Sequence, residues 1–145
     1  MVGLSEERGR LGPMRRAVPF AVLLVLTGAL PAGGAVKPTG FAFGRIGGNI
    51  RPYSVAIANS GVVRTSGAVE IGRKRVTAVQ LAALNRIATE TSFTMLPAVT
   101  NCRGTLPDVA STYVRVGART VRVHGGCVPG YQRLLKALKA SVQIR

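Results

Sequence analysis

The chain has no tryptophan, one histidine (His124), two cysteines (Cys102 and Cys127) and only five acids in 145 residues. Each shortage removes chemistry. Beyond residue 35 the acids are Glu70, Glu90 and Asp108 alone. The paired carboxylates of a glycosidase are therefore not evident, since Glu70 and Glu90 are expected on a strand rim and a helix end. A metal site needs three or four ligands, and the available set is Cys102, Asp108, His124 and Cys127, with no second C-x-x-C or H-x-x-H unit. A Ser–His–Asp hydrolase would draw on Ser111, His124 and Asp108, but no G-x-S-x-G elbow exists and so short a chain leaves little room for a cleft. The glycines G-R-I-G-G at 44–48 lack a following lysine and do not open a helix, so no phosphate loop is read there. No enzyme and no cofactor is expected; a small cysteine or zinc hydrolase is the remaining enzymatic alternative.

Positive charge is abundant. Residues 36–145 carry twelve Arg and four Lys against three acids, a net charge of +13. Such a surface favours anionic partners. A GC-rich bacterial genome would give the same excess of Arg, Ala, Gly and Val without selection for binding.

The first third of the chain reads as an export signal. M-R-R at 14–16 is a basic start, residues 17–30 form an apolar run of 14, and P-A-G-G-A at 31–35 supplies small residues for cleavage. The run is short for a membrane span of roughly 20 residues. Cleavage is expected after Ala35, or else after Ala32, leaving a secreted or extracytoplasmic domain over 36–145 with no transmembrane anchor. No cysteine near the cut offers a lipid attachment point. Arg15-Arg16 also fits a twin-arginine signal, with little around it in support. Residues 1–13 match no part of a signal peptide; either Met14 is the true start or Met1 opens a long basic region.

The pattern that follows predicts an α+β domain. A strand at the sheet edge is read over 40–46. Y-S-V-A-I-A from Tyr53 alternates, turns at Asn59-Ser60-Gly61 and resumes at Val62, which pairs Ile57 with Val63. Thr77 and Gln80 form a capping box with Val76 and Leu81 as its staple. The helix buries Leu81, Leu84, Ile87, Ala88 and Thr91, and Phe93 and Leu96 plug the core after it. A long loop over 98–110 precedes a second hairpin, 111–124, turning at Gly117-Ala118 and pairing Val114 with Val121. Residues 129–142 close the chain as a helix with Tyr131, Leu134, Leu135, Leu138 and Val142 inward. The expected order is ββαββα: an antiparallel sheet of four strands, five with the edge strand, and two helices on one face.

Cys102 and Cys127 are expected to form a disulfide, because exported thiols oxidise. His124 ends a strand, half exposed, and is expected to pair with Asp108 just before the partner strand. Arg73, Lys74, Arg75, Arg115, Arg122, Arg133, Lys136 and Lys139 are candidates for a basic binding surface. The aromatics Phe41, Phe43, Tyr53, Phe93, Tyr113 and Tyr131 mostly read as core, which disfavours nucleic acid. The expected partner is a protein, contacted through the rim 47–52 or the loop 99–108. The alternative is an anionic cell-envelope polymer held by the basic surface.

Several motifs resemble those of the emfourin-like domains, small protein inhibitors of thermolysin-type metallopeptidases. They are Gly47-Gly48 near the first strand, a capped helix running into Phe93, Leu96 and Pro97, Asp108 ahead of Y-V-R-V at Tyr113, and Leu134, Leu135 and Leu138 in a last helix. The resemblance spans roughly residues 41–142 and implies the same fold with inhibitor-like binding. The rhythm is also similar to that of bacterial exported domains of unknown function. The cysteine pair and the strong positive charge depart from the inhibitor pattern, and no inhibitory residue carries over.

Overall fold

Phe41–Ile46 (β1), the segment expected at a sheet edge, lies at the centre of the sheet. The computed structural model describes residues 39–144; the expected export signal and both cleavage sites lie outside them. The elements after β1 are β2 (Tyr53–Ile57), β3 (Val63–Gly67), α1 (Ala78–Glu90), a 3-10 turn (Phe93–Met95), β4 (Val99–Asn101), β5 (Ser111–Val116), β6 (Arg119–His124) and α2 (Pro129–Val142). They build an α+β fold. The sheet has six strands in the order β3-β2-β1-β5-β6-β4, all neighbours antiparallel except β4 and β6.

The architecture thus corrects the expected four- or five-stranded antiparallel sheet in the order ββαββα. The sheet is mixed, and the order is βββα, the 3-10 turn, then βββα. Two segments account for the change. β1 joins the two hairpins, pairing Phe43 with Val55 on one side and with Val114 on the other. Both its edges are hydrogen-bonded, and Phe41 and Phe43 are buried in the core. β4 lies inside the segment read as loop. Three residues are too few to show a period, and its partner β6 is remote in sequence.

The local readings of both hairpins hold. Ile57 faces Val63, with Gly61 left-handed at φ 82° and its N–H donating to the Ala58 carbonyl at 2.8 Å. Val114 faces Val121 across Gly117-Ala118, where Gly117 has a φ of 58°. The helices cover one face of the sheet. There Phe41, Phe43, Val55, Ile57, Val114, Val121 and Val123 meet Leu81, Leu84, Leu134 and Leu138 in a single core. Phe93 is fully part of it, whereas Leu96 is half-buried against its margin.

The capping box on α1 forms as the sequence predicts. Gln80 N–H donates to Thr77 Oγ1 at 3.2 Å, and Thr77 N–H donates to Gln80 Oε1 at 2.9 Å. Thr77→Ala is expected to cost about 1 kcal/mol in a urea titration, since it removes one acceptor from the first turn.

Tyr131 on α2 is fully buried, and its hydroxyl donates to Thr112 Oγ1 at 3.0 Å. Burial pushes its pKa up to about 12, and it also raises that of Tyr53, opposed there by Arg45. A raised phenol pKa means the folded state resists ionisation. The associated stability is full below the unfolded value near 10 and is lost as pH rises through about 12. Stability measured by denaturant should therefore fall between pH 10 and 12, and Tyr131→Phe should make that fall smaller.

Candidate functional site

The corner around V-H-G-G-C, residues 123–127, is a clamp on a loop. Cys102 and Cys127 are bonded, with their Cα atoms 5.6 Å apart. Cys102 follows β4 directly, and its N–H donates to the His124 carbonyl at 2.8 Å, so the parallel pairing of β4 with β6 runs straight into the disulfide. Gly125 then turns the chain at φ 100°, where a Cβ would collide with Thr105 and Cys102. With both sulfurs in the bond, neither is a thiolate nucleophile or ligand.

His124 does not pair with Asp108 as expected. Its Nδ1 lies 3.3 Å from Ser111 Oγ and its Nε2 lies 3.1 Å from the Leu106 carbonyl. A neutral ring protonated on Nε2 satisfies both contacts: Nε2–H donates to Leu106 and Nδ1 accepts from Ser111. The ring's polar atoms are thus engaged by Ser111 and Leu106, and Asp108 takes part through its backbone. Its backbone carbonyl accepts from Asn49 N–H at 3.1 Å. His124 and the disulfide together hold the loop 103–110 against the end of the sheet.

That loop meets the other segment proposed as a binding rim. Besides the Asn49–Asp108 bond, Gly48 (φ 69°) lies so close to Asp108 and Ala110 that no side chain would fit. The rim 47–52 and the latter part of the 99–108 loop, from residue 103 on, therefore form one continuous surface, whereas 99–101 belong to β4. Of the seven large apolar residues exposed among the described residues, four belong to it or border it: Ile46, Ile50, Leu106 and Val109. Sequence reading did not single these out. Ile46 ends a strand and Leu106 and Val109 sit in an irregular loop, so no period marks them as a group.

The expected basic surface divides. Arg115 and Arg122 project from the sheet face that no helix covers, because Val114, Val121 and Val123 take the inward positions. Arg133 and Lys136 lie on the outward side of α2, in the other layer of the molecule. Arg133 forms an ion pair with Glu90 at 2.8 Å, and Lys139 lines a cavity beside Tyr53 and Glu70. The knot at 73–75 is partly structural. The Arg73 guanidinium donates to the Ser141 carbonyl near the end of α2, and Arg75 donates to the Ser60 carbonyl, while Lys74 is exposed. Arg64, which sequence reading passed over, joins Arg115 and Arg122, since the β2–β3 register turns it to the same open face.

Comparisons with protein-family models, with curated proteins and with solved structures find no match for this chain. Among the described residues, no helix is long and apolar enough to cross a membrane.

Proposed function

We propose that the chain is exported and that residues 36–145 act as a binding domain, docking another protein through the joined rim of 46–52 and 103–110. The observation that carries this reading is the exposure of Ile46 at the end of β1 and of Ile50, Leu106 and Val109 on two loops tied to each other at Asn49–Asp108. Apolar side chains held out by a fixed backbone lose little entropy when a partner covers them. The disulfide and the bonds of His124 provide that fixation. The disulfide also supports export, because bonded thiols persist where the surroundings are oxidising.

The shape suits insertion of two short, pinned loops into a concave partner. A thermolysin-type metallopeptidase is the first partner to test, on the strength of the motifs at Gly47-Gly48, Phe93–Pro97 and Asp108–Tyr113. Ile50→Asp and Leu106→Asp place charge on exposed positions and should leave the fold intact. Each is expected to weaken inhibition of such a peptidase, or capture of a partner by cross-linking from the cell envelope, by about tenfold, equivalent to roughly 1.4 kcal/mol. Lys136→Glu, on the opposite layer, should change neither. Equal capture by wild type and both rim variants would refute the rim as the docking site.

A further inference from the structure

The open face of the sheet carries a groove of different chemistry from the rim. The register places Ala42 and Gly44 of β1 beside Ala56 and Ser54 of β2 on this face. None of these side chains extends beyond the two heavy atoms of Ser54, so the two central strands form a low floor. β3 and β5 flank the floor and bear the larger groups. Arg64 stands on one side and Arg115 on the other, in the same cross-strand row as Ala56 and Ala42. They are three strand spacings apart, about 14 Å between backbones. A cavity of about 560 Å³ lies at one end of this row, lined by Ala56, Asn59, Val62, Arg64, Arg115 and Gly117 among others. One row along the strands, Tyr113 leans across Gly44, where a Cβ would come within 2.9 Å of its ring. A smaller depression of about 200 Å³ continues there past Ser54, Ser66 and Tyr113 and ends against Ile46 and Pro52, where the rim begins.

Charge on this face has one sign. The register places Arg64, Arg115 and Arg122 on it and no acid, and all three arginines are exposed. The sole ion pair among the described residues, Arg133–Glu90, is in the helix layer.

We propose that this groove binds a linear acidic polysaccharide bearing carboxylates, laid along β1 and β2. Arg64 and Arg115 would each take a carboxylate through the planar fork of the guanidinium. The flat floor admits a sugar ring edge-on or face-on, Ser54 and Ser66 offer hydroxyls, and Tyr113 offers an aromatic wall. Other polyanions fit less well. An extended acidic peptide draws its affinity from main-chain bonds at a sheet edge, and a sheet face has none to offer. Single-stranded nucleic acid stacks successive bases on several aromatics, and this face has Tyr113 alone. A membrane surface calls for an apolar face to bury, and the floor here is alanine, glycine and serine.

The test uses protein produced from the full chain and oligogalacturonate as the probe, by calorimetry at fixed low salt. Wild type is expected to bind it and to ignore a neutral oligosaccharide of the same length. Arg64→Glu with Arg115→Glu should weaken binding about tenfold or more. Arg86→Glu with Lys136→Glu makes the same change in net charge on exposed positions of the helices and should stay within about twofold. Ala56→Trp fills the floor without altering charge and should also weaken binding; both arginines are exposed, so their variants carry the test if the tryptophan disturbs folding. Ile50→Asp should have no effect, which separates this groove from the rim. The proposal is overturned if wild type does not bind oligogalacturonate, if the helix-layer pair weakens binding as much as the groove pair, or if polyphosphate or single-stranded DNA binds as tightly and loses affinity in the same variants.

Discussion

Cys102→Ser is expected to lower the stability of the domain by about 3.5 kcal/mol, the chain-entropy value for a closed loop of 25 residues. Reduction of the wild type should do nearly the same. That is a large share of the 5–15 kcal/mol typical of a whole domain, so the melting temperature should drop by many degrees. The effect should not be confined to entropy of the unfolded chain. Cys102 is buried and continues a strand of only three residues, whose pairing with β6 includes the Cys102–His124 backbone bond. Released from Cys127, β4 has little else to hold it, and the loop 103–110 goes with it. Hydrogen exchange should show this directly. Amides of 99–110 should lose protection before those of β1 and β5, and rim-mediated binding should weaken in parallel. A reduced protein with unchanged melting and unchanged exchange in 99–110 would remove the disulfide from its role as clamp.

Phe43→Ala should cost about 3–5 kcal/mol, the range for a large aromatic truncated in a core that cannot collapse around the gap. Phe43 is fully buried and faces Val55 and Val114 on its two neighbouring strands. The size of the loss tests the corrected topology. In an edge strand the residue would have one neighbouring strand and a half-open environment, and truncation would cost much less. Ile46, at the end of the same strand and 38% exposed, is the internal control. Ile46→Ala should fall within about 0.5 kcal/mol, as exposed substitutions commonly do. Equal and small effects at both positions would return β1 to the margin of the sheet.

Local patterns in this chain were readable because they rest on neighbours in sequence. The capping box at Thr77 and Gln80 involves residues three apart. The turns at Gly61 and Gly117 need only a left-handed residue between two alternating runs, and a slip of one residue would turn valines outward and arginines inward. The pairing of Cys102 with Cys127 required no geometry, since there are just two cysteines to join. What the sequence by itself determined was therefore an α+β composition, both hairpins with their registers, both helices, the inward face of α2 and most of that of α1 (where Asn85 is buried and Ile87 and Thr91 only half-buried), and the disulfide. Tertiary structure alone decided how these parts meet. It placed β1 between the hairpins, paired β4 with β6, directed His124 to Ser111 and Leu106 instead of Asp108, and merged two candidate loops into one rim. It also split the arginines between the two layers and brought Arg64 to the open face. The physical reason is common to all of these. Each depends on contacts between segments far apart in the chain, and such contacts are selected by the packing of the whole core, which no local period or spacing encodes.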